Sequence, residues 1–87
     1  MRFKVEFSAT AKEDYEYWKK TNNEKVIAKI KTLLKNMVET PFKGIGQPEA
    51  LKYDLKGYWS RRINREHRIV YKVEMEVIYV IQLRGHY

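Results

Sequence analysis

Between Gly57 and Tyr71 the chain carries Arg61, Arg62, Arg65 and Arg68 among aromatic and β-branched residues, and its last two residues are His86 and Tyr87. Arginine presents a planar, permanently charged fork that matches phosphate oxygens two at a time. A histidine can give or take a proton near neutral pH. These are the tools for breaking a phosphodiester, and they point at RNA. Glu49 adds a carboxylate at the end of a Gly- and Pro-rich segment, where a closing loop could bring it opposite His86. Spacing permits that pairing and does not require it. Isolated loop glutamates are mostly solvated, exposed arginines can be a plain sheet face, and a terminal histidine can fray. His67, beside Glu66, reads as an orienting or packing residue rather than a reacting one.

The elements that must hold these groups follow from periodicity. Arg2 to Phe7 alternates, with Phe3, Val5 and Phe7 on one face, which predicts a half-buried strand. A helix follows, capped by Ser8 or Thr10; Thr10-Ala-Lys-Glu13 has the capping-box pattern, Tyr15 and Trp18 point inward, and Thr21-Asn22-Asn23 ends it. Val26, Ile27, Ile30, Leu33, Leu34, Met37 and Val38 then fall at helical spacing, with Lys25, Lys29, Lys31 and Lys35 off that stripe. Pro41 closes this second helix, and residues 40–49 form a loop. Four strands are expected after it: Leu51–Asp54, Tyr58–Asn64, His67–Val73 and Val77–His86.

The predicted fold is α+β, with two N-terminal helices on one face of a mostly antiparallel sheet in the order β-α-α-β-β-β-β. Alternation along the strands decides which polar residues share the face away from the helices. Trp59 and Ile63 inward put Tyr58, Ser60, Arg62 and Asn64 outward. Ile69, Tyr71 and Val73 inward put Arg68, Val70 and Lys72 outward. Tyr79, Ile81 and Leu83 inward put Gln82, Arg84 and His86 outward. Arg62, Arg68, Arg84 and His86 are thereby expected on one surface. Arg61 falls on the inward side, from which it must snorkel to an edge.

The 87 residues suit one domain, residues 1–87, with a single core. Hydrophobic content of 44% with only two prolines argues for a globular chain rather than a disordered one. With no cysteine, disulfides and thiolate metal sites are excluded. No signal peptide or membrane span is visible, so a cytoplasmic protein without membrane contact is expected. Lysine and arginine number 18 against 11 acidic residues, a net charge of +7, and 14% of residues are aromatic. That balance fits a polyanionic partner, although many small basic proteins are merely soluble.

Several segments in one order also resemble a known family. They are Asp14-Tyr15-x-Tyr17-Trp18, Thr40-Pro41-Phe42-x-Gly44-x-Gly46-x-Pro48-Glu49-x-Leu51-Lys52, Gly57-Tyr58-Trp59-Ser60-Arg61-Arg62-Ile63, His67-Arg68-Ile69-Val70-Tyr71 and His86-Tyr87. Across nearly the whole chain these resemble the YoeB/Txe toxins of the RelE superfamily, the toxin halves of bacterial type II toxin–antitoxin systems. The resemblance implies a RelE-like fold and a ribosome-dependent endoribonuclease that cuts mRNA in the A site, on the small ribosomal particle. It implies a cognate antitoxin that neutralises the toxin, operator DNA bound only through the toxin–antitoxin complex, and a homodimer. By position, Glu49 corresponds to the general base, His86 to the general acid, Arg68 to the phosphate-stabilising arginine and Tyr87 to the terminal site tyrosine. Arg62 corresponds to a second site arginine and Lys52 to a flanking basic residue, with Arg84 an expected substrate contact from its place on the same face. Gly85, just before His86, is expected to leave the end of the chain free to move.

The chemistry matches this inventory. Cutting RNA needs a base for the 2′-hydroxyl proton, an acid for the leaving 5′-oxygen and cations for the charge that builds on phosphorus. No carboxylate cluster of the kind two-metal cleavage requires is visible, so no metal or other cofactor is expected. An ordinary glutamate is a weak base, so positioning of the message by the ribosome must supply much of the rate. Rival readings are a superfamily toxin with another target, such as gyrase, a non-catalytic RNA-binding module, and an antitoxin-binding remnant.

Overall fold

The structure, a computed structural model, describes residues 2–85; the candidate acid His86 and the candidate tyrosine Tyr87 lie outside the described residues. Strand β1 (Lys4–Phe7) turns the apolar Val5 and Phe7 toward the core and Lys4 and Glu6 to solvent, as its alternation dictates. It stops where Ser8 caps helix α1 (Ala9–Lys20), the Ser8 hydroxyl accepting the Ala11 amide at 3.0 Å. Ser8, not Thr10, is the cap, because Thr10 already lies in the first helical turn. Asn23 caps helix α2 (Glu24–Glu39) by accepting the Val26 amide, and Val26, Ile30, Leu33 and Met37 form its buried stripe.

The remaining strands are β2 (Glu49–Ala50), β3 (Tyr58–Arg62), β4 (Arg68–Glu74) and β5 (Val77–Gln82). They form with β1 a five-stranded sheet in the order β1-β5-β4-β3-β2. Among the described residues only the β1–β5 pair is parallel. Both helices pack on one face, where Ile30, Leu33 and Met37 meet Ile69, Tyr71, Ile78 and Val80. The order β-α-α-β-β-β-β is the one expected.

Three departures have identifiable causes. The strand expected over Leu51–Asp54 is two residues long and lies earlier, at Glu49–Ala50. After the Leu51 amide bonds the Tyr58 carbonyl, Tyr53 turns left-handed (φ 59°) and Tyr53–Leu55 winds into a 3-10 turn, leaving Tyr53 91% exposed. The alternation of Leu51 and Tyr53 imitates a strand that the reversal into β3 interrupts.

The second departure is in β5. Ile78 and Val80 face the core, so Tyr79 points to the opposite face, contrary to the alternation assigned from sequence. Val70 pairs with Gln82 but Tyr71 pairs with Val80, so Ile81 is an extra residue at a β-bulge. The bulge resets the parity, which is why Leu83 is nonetheless buried and Gln82 shares the face of Val70. The strand also ends at Gln82 rather than running on to His86. Because β1 has already stopped, side chains of α1 take over at Leu83: Asp14 Oδ2 accepts its amide and the Trp18 indole donates to its carbonyl, each at 2.9 Å.

The third is Arg61, which does not snorkel. It is 0% exposed, and its guanidinium donates to five neutral oxygens: Tyr71 Oη, Asn36 Oδ1 and the carbonyls of Ile45, Thr40 and Lys43. Those acceptors match the five N–H groups a guanidinium owns, so a buried cation is left with no unmet donor. The Tyr71 hydroxyl in turn donates to the Pro41 carbonyl at 2.7 Å. Burial pushes the Tyr71 phenol above its ordinary pKa, and the Arg61 hydrogen bond and charge partly oppose that rise. Residues 40–45 are thus wrapped around one side chain.

Candidate active site

The wrapped loop delivers Glu49 to the sheet. Its far end is hooked to β3 by the Arg62 amide, which donates to the Gly46 carbonyl at 2.7 Å. Gly46 has φ 81°, and a Cβ there would sit 2.6 Å from Leu33 Cδ2 and 3.2 Å from Arg61 Cβ. Only glycine fits so close to the core in that conformation. Glu49 then pairs with Ser60 across β2 and β3.

Register places three cross-strand rows on the sheet face away from the helices. The middle row runs Glu49–Ser60–Val70–Gln82 across four strands. On one side of it stand Arg62 and Arg68, directly opposite each other. On the other side runs Tyr58–Lys72–Tyr79, with the Lys72 ammonium 5.6 Å and 5.8 Å from the two ring centres. Ser60 and Val70 are buried although they face away from the helices, so the middle row forms a floor between a cationic row and an aromatic one. Glu49 lies one strand across and two residues along from Arg62, a diagonal of about 7–8 Å between backbones. That span suits a carboxylate and a guanidinium reaching one nucleotide from two sides.

Of the residues singled out from sequence, Glu49, Arg62 and Arg68 share this face. Lys52 is exposed at the start of the 3-10 turn that follows Glu49. Arg84 does not join them: its guanidinium lies 3.8 Å above the Tyr17 ring of α1, a cation–π contact with the helix layer. His86 and Tyr87 lie outside the described residues, but the segment leading to them is placed. Tyr79 is a member of the face that sequence reasoning missed, because no sequence signal marks the Ile81 bulge. Among the described residues no three histidine, aspartate or glutamate side chains converge as metal ligands.

Residues 7–87 match the family described as YoeB-like toxin of bacterial type II toxin-antitoxin system. Toxin YoeB of Streptomyces coelicolor is 43% identical over 84 residues, covering 97% of this chain and 99% of that protein. Among solved structures, a YoeB/ParE toxin from Agrobacterium tumefaciens aligns with a TM-score of 0.93 at 45% identity, over 97% of this chain and 99% of that one. A YoeB dimer from Staphylococcus aureus aligns at 0.88 with 44% identity, and the heterotetrameric YoeB–YefM toxin–antitoxin complex of that organism at 0.87 with 44% identity, both over 100% of each chain. The family match and these relatives place the chain among the small toxins of type II toxin–antitoxin systems. The chain belongs to the YoeB-like toxin family.

Proposed function

We propose that this toxin is a ribosome-dependent mRNA endoribonuclease that stops translation by acid–base cleavage in the A site. The observation that carries the reading is the Glu49 carboxylate set one strand from Arg62 and two from Arg68, the two arginines directly opposed, beside a floor of Ser60 and Val70. A phosphodiester laid across that floor meets a base at one end of the row and two cations along one side of it.

In this reading Glu49 takes the proton of the 2′-hydroxyl, whose oxygen attacks the adjacent phosphorus. Arg68, with Arg62 beside it, stabilises the extra negative charge on the phosphorane oxygens, where preorganised donors act most strongly. His86 gives its proton to the departing 5′-oxygen, and Tyr87 completes the site at the end of the chain. The products are a 2′,3′-cyclic phosphate and a 5′-hydroxyl, and the chemistry calls on no metal or other cofactor. Lys52 supplies positive charge beside Glu49, and Tyr58 and Tyr79 offer ring faces to neighbouring bases. An unassisted glutamate is a weak base, so the ribosome contributes by holding the sugar and phosphate in line for attack.

The partners of this chain follow from the same reading. The net charge of +7 and the arginine row suit an acidic antitoxin segment that folds as it binds. The S. aureus relative's complex with YefM and its dimer support a cognate antitoxin and a homodimer here. Operator DNA is reached through the toxin–antitoxin complex, and the toxin acts in the cytoplasm, where ribosomes are. No helix among the described residues is long and apolar enough to cross a membrane.

Primer extension on a message translated in vitro with the purified protein tests the reading. Discrete stops within codons at the A site, dependent on ribosomes and lost with Glu49→Gln, are expected. An intact message, with translation halted or not, contradicts it.

A further inference from the structure

We infer that His67 is a positioning residue, which clasps the chain at Gly85 and so fixes the backbone from which the proposed acid follows. This rests on the acid role proposed above for His86. The clasp is made at Gly85, one residue before that acid. Gly85 donates its amide to His67 Nδ1 at 2.8 Å, and its carbonyl accepts the Arg68 amide at 3.1 Å. Both polar groups of Gly85 are therefore engaged by adjacent residues at the start of β4, and the chain there is held rather than free.

His67 is itself braced. Its amide donates to Asn64 Oδ1 at 2.8 Å, and its carbonyl accepts the amides of Ile63 and Asn64. Its ring meets the indole of Trp18 edge-on, with centres 4.8 Å apart and planes at 79°. The same indole bonds the Leu83 carbonyl, Asp14 takes the Leu83 amide, and Arg84 lies on Tyr17. Residues 83–85 are thus fixed to α1 on one side and to His67-Arg68 on the other. Gly85 takes φ 87°, and a Cβ there would meet nothing within 4 Å. Its glycine serves the left-handed turn rather than tight space.

The clasp sets a chemical requirement on the ring. A nitrogen that accepts the Gly85 amide carries no proton, so the ring's proton sits on Nε2. An Nδ1–H ring would face one donor with another and release the tail. His67 thus works through the backbone and takes no part in proton transfer to RNA. Because the Arg68 amide also holds Gly85, the residue proposed to bind the phosphate and the one that clasps the chain before the acid are sequence neighbours on one strand start. Substrate and acid are referenced to the same point.

Two variants separate the clasp from ordinary packing. His67→Phe keeps a ring against Trp18 and removes the acceptor; His67→Asn keeps an acceptor near the Nδ1 position and gives up the ring. The Nε2–H tautomer at His67 is expected in the ¹⁵N spectrum of the histidine-labelled toxin. Amide exchange at Gly85 should quicken at least about tenfold in His67→Phe and stay slow in His67→Asn. On ribosomes, kcat should fall about 100-fold in His67→Phe with KM unchanged, and recover most of that loss in His67→Asn. An Nδ1–H tautomer, unaltered Gly85 exchange in His67→Phe, or a wild-type kcat in that variant would each overturn the inference. The spectrum and the exchange rates do not depend on cleavage. Wild-type cleavage by His86→Gln would instead overturn the acid assignment while leaving the clasp to stand on those two readings.

Discussion

Arg62 and Arg68 stand directly opposite each other across β3 and β4. Like charges so placed work against a sheet by up to about 1 kcal/mol, which is tolerable where an anion is to be bound between them. Arg62→Gln is expected to leave stability within about 0.5 kcal/mol of the parent, or to raise it, while cleavage falls. Denaturant melts and single-turnover cleavage on one preparation check both halves. A large loss of stability would make Arg62 a structural residue.

The neighbouring arginine should behave in the opposite way. Arg61 is buried with five neutral oxygens around it, and removing it takes a donor from each of them. Arg61→Met should cost at least about 3 kcal/mol. Arg61→Lys should recover little of this, because an ammonium cannot fork to acceptors spread over that loop. Thermal unfolding of the two variants beside Arg62→Gln distinguishes adjacent, chemically identical residues by role.

Tyr71 gives a pH signature for the same cluster. Burial raises its pKa above that of an unfolded tyrosine, near 10. The folded state therefore keeps the phenolic proton longer than the unfolded state. Its contribution to stability is whole below about pH 10 and is lost as pH rises through the folded value. Tyr71→Phe should flatten that alkaline loss. It should also cost about 1–3 kcal/mol at neutral pH, because Arg61 Nε and the Pro41 carbonyl lose their shared hydroxyl. Urea melts between about pH 8 and pH 11 measure both.

Much of this fold could be read from the chain because burial follows period. Val5 and Phe7 alternate, and Val26, Ile30, Leu33 and Met37 recur at helical spacing, so strand, helices and the inner face are visible as patterns. Arg62 and Arg68 could be grouped because β3 and β4 pair without irregularity. Tyr79 could not, since the extra residue Ile81 shifts parity and nothing in its side chain announces it. Arg61 was illegible for another reason: its partners are mostly main-chain carbonyls of a loop, which every residue owns. The hold on Gly85 is hidden likewise, being made through its backbone.

Removing either proposed proton carrier should be costly to chemistry and cheap to folding. Glu49→Gln and His86→Gln are each expected to slow single-turnover cleavage by roughly 100- to 10,000-fold with unchanged melting. Glu49 is exposed at a two-residue edge strand, so little core depends on it. Wild-type rates in both variants would remove them from the mechanism.

Attack by the 2′-hydroxyl is tested most directly by what is left at the cut. Ribosomes programmed with a message carrying a single 2′-deoxy sugar at the scissile position should bind the toxin and yield no fragment there. The all-ribose message should give a 3′ fragment beginning with a 5′-hydroxyl and a 5′ fragment ending in a 2′,3′-cyclic phosphate or its hydrolysis product. A 5′ fragment ending in a free 3′-hydroxyl, or a cut at the 2′-deoxy position, would contradict the roles given to Glu49, Arg68 and His86.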